Sequence, residues 1–158
     1  MLKPGDVVLQ KKTMVNKTNF KDNKPNRLSV VLFSYVNDNG KLYYCTAPIT
    51  NATRGTFKKK MSNNFYYMPN SIYTYDKLCC VKLDSIFLYS EDIVRGTGLS
   101  IDLYHVMNIY KGVLNLDVEY YQEKFYNFVK ILIRDNVEEY IKEAKKEEKN
   151  KKKLFKKK

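Results

Sequence analysis

The segment that decides the fold runs Leu28-Ser29-Val30-Val31-Leu32-Phe33-Ser34-Tyr35-Val36, then Asn37-Asp38-Asn39-Gly40-Lys41, then Leu42-Tyr43-Tyr44-Cys45-Thr46-Ala47-Pro48-Ile49. Both flanks are rich in β-branched and aromatic residues, which fit a pleated, half-buried surface. Asn39-Gly40 between them is a strong hairpin signal, because the central residues of a tight two-residue turn need positive φ. The expectation is an antiparallel hairpin with strands over 28–36 and 42–49. Pro48 cannot donate to a ladder, so it should mark a strand end or an edge.

Upstream, Gly5-Asp6 leads into the apolar run Val7-Val8-Leu9, which reads as a first strand. Residues 11–26 are polar, rich in Lys and Asn, and end in Lys24-Pro25-Asn26; they read as a long loop of the kind that often carries function. Downstream, residues 51–64 form a second polar stretch with Arg54, Lys58, Lys59 and Lys60. Phe65-Tyr66-Tyr67 fits a short strand, Leu78 to Leu83 a buried one, and Ser85 to Tyr89 continues or bends it. Arg95-Gly96-Thr97-Gly98 reads as punctuation, with Ser100 capping a helix that runs to about Leu114. Its apolar positions are Ile101, Tyr104, Val106 or Met107, Tyr110 and Val113, at helical spacing.

A second helix is expected from about Val118 to Glu148, with a stripe of Tyr121, Phe125, Phe128, Leu132 and Tyr140 or Ile141, and a break near Arg134-Asp135-Asn136. Residues 149–158 are Lys-dominated and read as a disordered tail. Short strands, a hairpin and terminal helices define an α+β protein, with a small barrel or strongly curved antiparallel sheet followed by C-terminal helices. The expected organisation is one domain over 1–117, a helical extension over 118–148, and the tail. A chain of 158 residues supports one core rather than two.

The formal net charge is +12. Residues 142–158 hold ten Lys against three Glu, a net +7, which leaves +5 for the rest. A basic body as well as a basic tail favours a polyanionic partner, since each neutralised phosphate releases counterions; a merely solubilising surface is the plain alternative. Cys45, Cys79 and Cys80 are odd in number and lack a C-x-x-C spacing, which argues against a disulfide framework or zinc site and for core thiols in a reducing compartment. Residues 1–6 carry no apolar signal core and no stretch is long and apolar enough to span a bilayer, so the expected location is cytoplasmic, with no membrane partner.

With one His, any Ser-His-Asp or Cys-His arrangement would have to use His105, inside the first predicted helix, where a structural role outweighs a catalytic one. No convergent metal-ligand spacing and no phosphate-binding glycine loop is present. Arg, Lys, Thr and carboxylates beside loops remain. Such groups suit RNA cleavage by the substrate's own 2′-hydroxyl, where the protein positions the phosphate, stabilises charge and moves protons without metal or cofactor.

Four ordered segments over residues 5 to about 116 resemble the PemK/MazF family of ribonuclease toxins. They are Gly5-Asp6-Val7-Val8, Arg27-Leu28-Ser29-Val30-Val31-Leu32, Thr46-Ala47-Pro48-Ile49-Thr50, and Val81-Lys82-Leu83-Asp84-Ser85-Ile86 followed by Gly98-Leu99-Ser100. The resemblance implies an SH3-like barrel, a homodimer binding single-stranded RNA in a groove, and a cognate antitoxin that blocks the groove. It implies that Arg27 binds the scissile phosphate, Thr50 donates to it, and Lys82 and Asp84 are catalytic, Asp84 as general base. Lys24, Arg54, Lys58, Lys59 and Lys60 would steer RNA. Two departures stand out: Leu28 occupies the place of the family's usual proline, and Phe87 that of a frequent arginine. A related toxin held in check by RNA, or a binding module that does not cut, are the alternative readings.

Overall fold

The computed structural model describes residues 1–10, 28–51, 64–68 and 79–156. Among the described residues seven antiparallel strands and two α-helices follow in order: β1 (Asp6–Gln10), β2 (Leu28–Val36), β3 (Leu42–Asn51), β4 (Phe65–Met68), β5 (Cys79–Lys82), β6 (Phe87–Ser90), β7 (Val94–Ser100), α1 (Leu103–Leu114) and α2 (Glu123–Lys156). The hydrogen-bonded order is β4-β5-β3-β2-β1-β7, with β6 also on β3. Among the described residues the path has two ends, β4 and β7, so the sheet is mixed with helices in an α+β fold and is not a closed barrel.

The hairpin forms with a three-residue loop rather than a two-residue turn. Asn37 and Lys41 close it through Asn37 N–H to the Lys41 carbonyl at 2.9 Å, and the Asn37 side-chain oxygen accepts from the N–H groups of Asn39 and Lys41. Gly40 takes φ +78, where a side chain would be strained. An extra residue, Leu32, interrupts β2: Val31 pairs with Thr46, but Phe33 pairs with Cys45. This is a β-bulge, and the Tyr110 hydroxyl from α1 donates to the Leu32 carbonyl it leaves over.

Pro48 lies inside β3, not at its end or on an edge, since the strand continues to Asn51. One side of β3 is served by two strands in tandem: β6 pairs with Tyr43–Thr46, and β5 pairs with Ile49–Asn51. The break between them, residues 83–86, falls at Ala47 and Pro48, so a residue with no N–H sits where the ladder is interrupted.

The Arg95–Gly98 stretch is strand rather than punctuation. It pairs with β1, Val8 opposite Gly96 and Leu9 opposite Arg95, and the Thr97 hydroxyl donates to the Val7 carbonyl at 2.7 Å. A register shift between Asp6 and Val8 uses Gly98 at φ +82. Ser100 consequently ends β7, and Asp102 is the residue before α1, without a side-chain cap bond. The buried face of α1 is Val106, Ile109, Tyr110 and Val113, whereas Tyr104 is 72% exposed. Gly112 lets Leu83 approach the helix, since a Cβ there would stand 2.7 Å from Leu83 Cδ1.

Two compact units divide the chain, Met1–Val118 and Glu119–Lys158. The second is a 3-10 turn (Tyr120–Gln122) and α2. Its buried residues are Tyr126, Val129 and Ile133, one position out of phase with the expected stripe; Tyr121 is 80% exposed. No break occurs at Asn136, whose amide donates to the Leu132 carbonyl at 2.7 Å within a continuous helix. The Lys-rich run expected to be disordered continues that helix to Lys156. Among the described residues no helix is long and apolar enough to cross a membrane.

Candidate functional site

Residues opposite each other in an antiparallel pair share a face, and residues two apart along a strand do as well. The registers therefore define a patch. Thr50 is opposite Cys80, and Cys80 is opposite Tyr67, which gives a row Thr50–Cys80–Tyr67 across β3, β5 and β4. Lys82 is opposite Phe65 in the next row, two residues on from Cys80. Thr50 and Lys82 are diagonal neighbours on this face, about 7–8 Å apart, a separation within reach of a four-carbon Lys stem. Both are half-buried, as are Phe65 and Tyr67, while Cys80 is fully buried and forms the floor. The Phe65 and Tyr67 ring centroids lie 6.4 Å apart, tilted at 45°.

Burial raises the Tyr67 phenol above its ordinary range, and the Cys80 thiol beside it adds to the effect. The hydroxyl is thus protonated at neutral pH. Asp84 follows Lys82 by two residues in the turn that separates β5 from β6, half-buried, with the Ser85 hydroxyl 3.3 Å from its Oδ1. Beyond that turn Phe87 pairs with Thr46, putting Phe87 and Tyr89 on the face of Thr50; their rings are 5.7 Å apart. The same face holds the buried polar residues Ser29 and Thr46 of the central strands.

Of the residues singled out in the sequence, Thr50 and Lys82 come together on one face, and Asp84 follows in the adjoining turn. Arg27, Lys24, Arg54, Lys58, Lys59 and Lys60 lie outside the described residues; Arg27 is bonded to Leu28, the first residue of β2. The structure separates Tyr66 from Tyr67. Tyr66 turns to the opposite face, where its hydroxyl lies 2.7 Å from His105 Nδ1 and within 3.5 Å of Asn108 Nδ2. Burial, and Tyr104 to a lesser degree, push the Tyr66 phenol up against a lowering by Asn108. The hydrogen bond between the Tyr66 hydroxyl and His105 Nδ1 joins α1 to β4.

Sequence reading missed Phe65 as a member of the patch. The period-2 alternation in Phe65-Tyr66-Tyr67 separates its faces, but which face Thr50 shares follows only from its pairing with Cys80, thirty residues further along the chain. Among the described residues no three His, Cys, Asp or Glu side chains are grouped to hold a metal ion. The patch offers a cation, a hydroxyl donor and two aromatic surfaces, a set that matches a phosphate flanked by bases. No protein-family model matches the chain, and no curated protein matches it in sequence.

Proposed function

We propose that this chain is a toxin-like endoribonuclease on an SH3-like curved sheet, cutting single-stranded RNA by metal-independent attack of the 2′-hydroxyl, acting as a homodimer and neutralised by a cognate antitoxin. The carrying observation is the grouping of Thr50 and Lys82 beside the Phe65–Tyr67 pair. In this reading the aromatic rings take bases and thereby hold the backbone across Thr50 and Lys82. The 2′-oxygen attacks the phosphorus and loses its proton to Asp84, the bond to the 5′-oxygen breaks, and the leaving 5′-oxygen takes a proton from water. The products are a 2′,3′-cyclic phosphate and a 5′-hydroxyl end. Lys82 and Arg27 balance the charge that builds on the phosphoryl oxygens, and Thr50 donates a hydrogen bond to one of them. Arg27 serves as an electrostatic group, because a guanidinium is already protonated at neutral pH and cannot accept a further proton.

Incubation of the purified full chain with single-stranded RNA in EDTA tests this. Discrete cuts with 2′,3′-cyclic phosphate ends are expected, slowed roughly a hundred- to a thousandfold by Thr50→Val or Lys82→Met. Tyr67→Ala should weaken RNA binding roughly five- to a hundredfold, the range for one lost stacking partner. Cleavage that both Thr50→Val and Lys82→Met leave unchanged would remove the patch from the mechanism.

Phe87 favours a second reading. It stands where the resembled family often has an arginine, and its ring pairs with Tyr89 on the patch face. A surface with a third and fourth ring in place of a guanidinium suits a nucleic-acid binding module. Binding that depends on Tyr67 in a protein inert toward RNA would decide for that module.

A further inference from the structure

Continuation of α2 through the C-terminal lysines changes what those lysines are. At about 100° per residue, Lys142, Lys145, Lys146, Lys149, Lys152 and Lys153 fall within an arc of about 120° over an axial length of about 16 Å. All six are exposed. Lys151 falls on the opposite side, and Glu138, on the meridian of the stripe one turn earlier, ends it toward the N-terminus. The neighbours at i,i+4 within the stripe, Lys142–Lys146, Lys145–Lys149 and Lys149–Lys153, are all of like charge and destabilise an isolated helix. A polyanion laid along the stripe removes that repulsion.

We infer that this face of α2 is a second binding site, one that holds the phosphodiester backbone of a nucleic acid without reading its sequence. Lys is a compact point charge that meets any phosphate equally well, and the arc presents no group with a base-reading geometry. A bilayer surface fits poorly, because an interfacial helix needs an apolar face, and residues 142–153 contain Ala144 as their single apolar residue. The stripe length corresponds to about five phosphates of one strand at 3.4 Å each. The site is independent of the sheet patch, and its test does not rest on cleavage.

Full-length protein is titrated with a labelled single-stranded RNA over a salt series, in EDTA, with α-helix content followed by circular dichroism. Replacing Lys142, Lys146, Lys149 and Lys153 by Gln should reduce the slope of log affinity against log salt by about 3 and weaken binding at low salt at least tenfold. A second variant, Lys146→Glu with Glu147→Lys and Lys149→Asn with Asn150→Lys, keeps the net charge and moves two lysines out of the arc. It should lose about half of that slope change. Helix content equal to wild type in both variants, with these losses, supports the site. Affinity and slope unchanged in the Gln variant overturn it, and so does a rearranged variant that binds like wild type, since net charge alone would then suffice. Equal competition by poly-glutamate assigns the stripe to an acidic protein instead. Loss of binding to phosphatidylserine vesicles with RNA binding intact assigns it to a membrane; either result overturns the proposal. At saturating RNA, the rate of cleavage at the sheet patch should be the same in all three proteins, which keeps failure of this site distinct from failure of the other.

Discussion

Gly5 illustrates how one residue fixes a junction. Its N–H donates to the Val31 carbonyl at 2.8 Å and its carbonyl accepts from Ile101 N–H at 2.9 Å, so it ties β1 to β2 and to the approach of α1. It does so at φ +94, and a Cβ would stand 3.1 Å from the Ile101 carbonyl oxygen and 3.2 Å from Val106 Cγ2. Gly5→Ala should therefore cost about 1–3 kcal/mol, measured as a lower urea midpoint with an unchanged slope. A substitution of equal stability would mean that the backbone relaxes freely there. Gly5-Asp6 was visible in the sequence as the lead into a strand. Its reason was not, because the atoms that exclude a side chain come from Ile101 and Val106, about a hundred residues away.

Between elements, the bulge in β2 and helix α1 are coupled through one hydroxyl. Leu32 has no partner in β3, is fully buried, and its carbonyl accepts from Tyr110. Tyr110→Phe keeps the ring and strands the carbonyl, which should cost about 1–3 kcal/mol; equilibrium unfolding with near-UV circular dichroism measures it, and a neutral result would mean that the carbonyl finds another donor. Elements with a strong local period were legible: β2 and β3 were placed from their apolar runs and turn. β7 was not, because Gly96 and Gly98 have low strand propensity and the strand exists to complete β1. The phase of α2 is not legible because Phe125 and Phe128 place the apparent stripe on the aromatic side, while burial goes to Tyr126, Val129 and Ile133. Thr50 and Lys82 were named from the sequence, but their adjacency is a matter of register between β3 and β5.

For the molecule as a whole, the titratable groups that burial perturbs point one way. Cys45 is raised well above its ordinary value of 9.0, and Tyr66, Tyr67 and Tyr89 are raised from 10.0, desolvation being the main cause in each case. The unfolded chain, with the ordinary values, therefore releases these protons first as pH rises. Stability from these groups is fully present below pH 9.0 and is lost above it, first through Cys45 and then through the tyrosines. Thermal melts from pH 7 to 11 should show a falling midpoint above about pH 9, and Cys45→Ala should move the onset toward 10. A midpoint that rises over that interval would contradict the assignment.

The pairing of β1 with β7 has a consequence in time. Val7 accepts its bond from Thr97, ninety residues further along the chain. During synthesis at 5–20 residues per second, β1 waits roughly 5–20 s for the strand that covers its second edge. Until Ser100 has left the ribosome, an apolar N-terminal strand stands with one row of amides and carbonyls open. β1 is thus completed only once β7 has emerged, and loop-closure entropy makes that pairing slow.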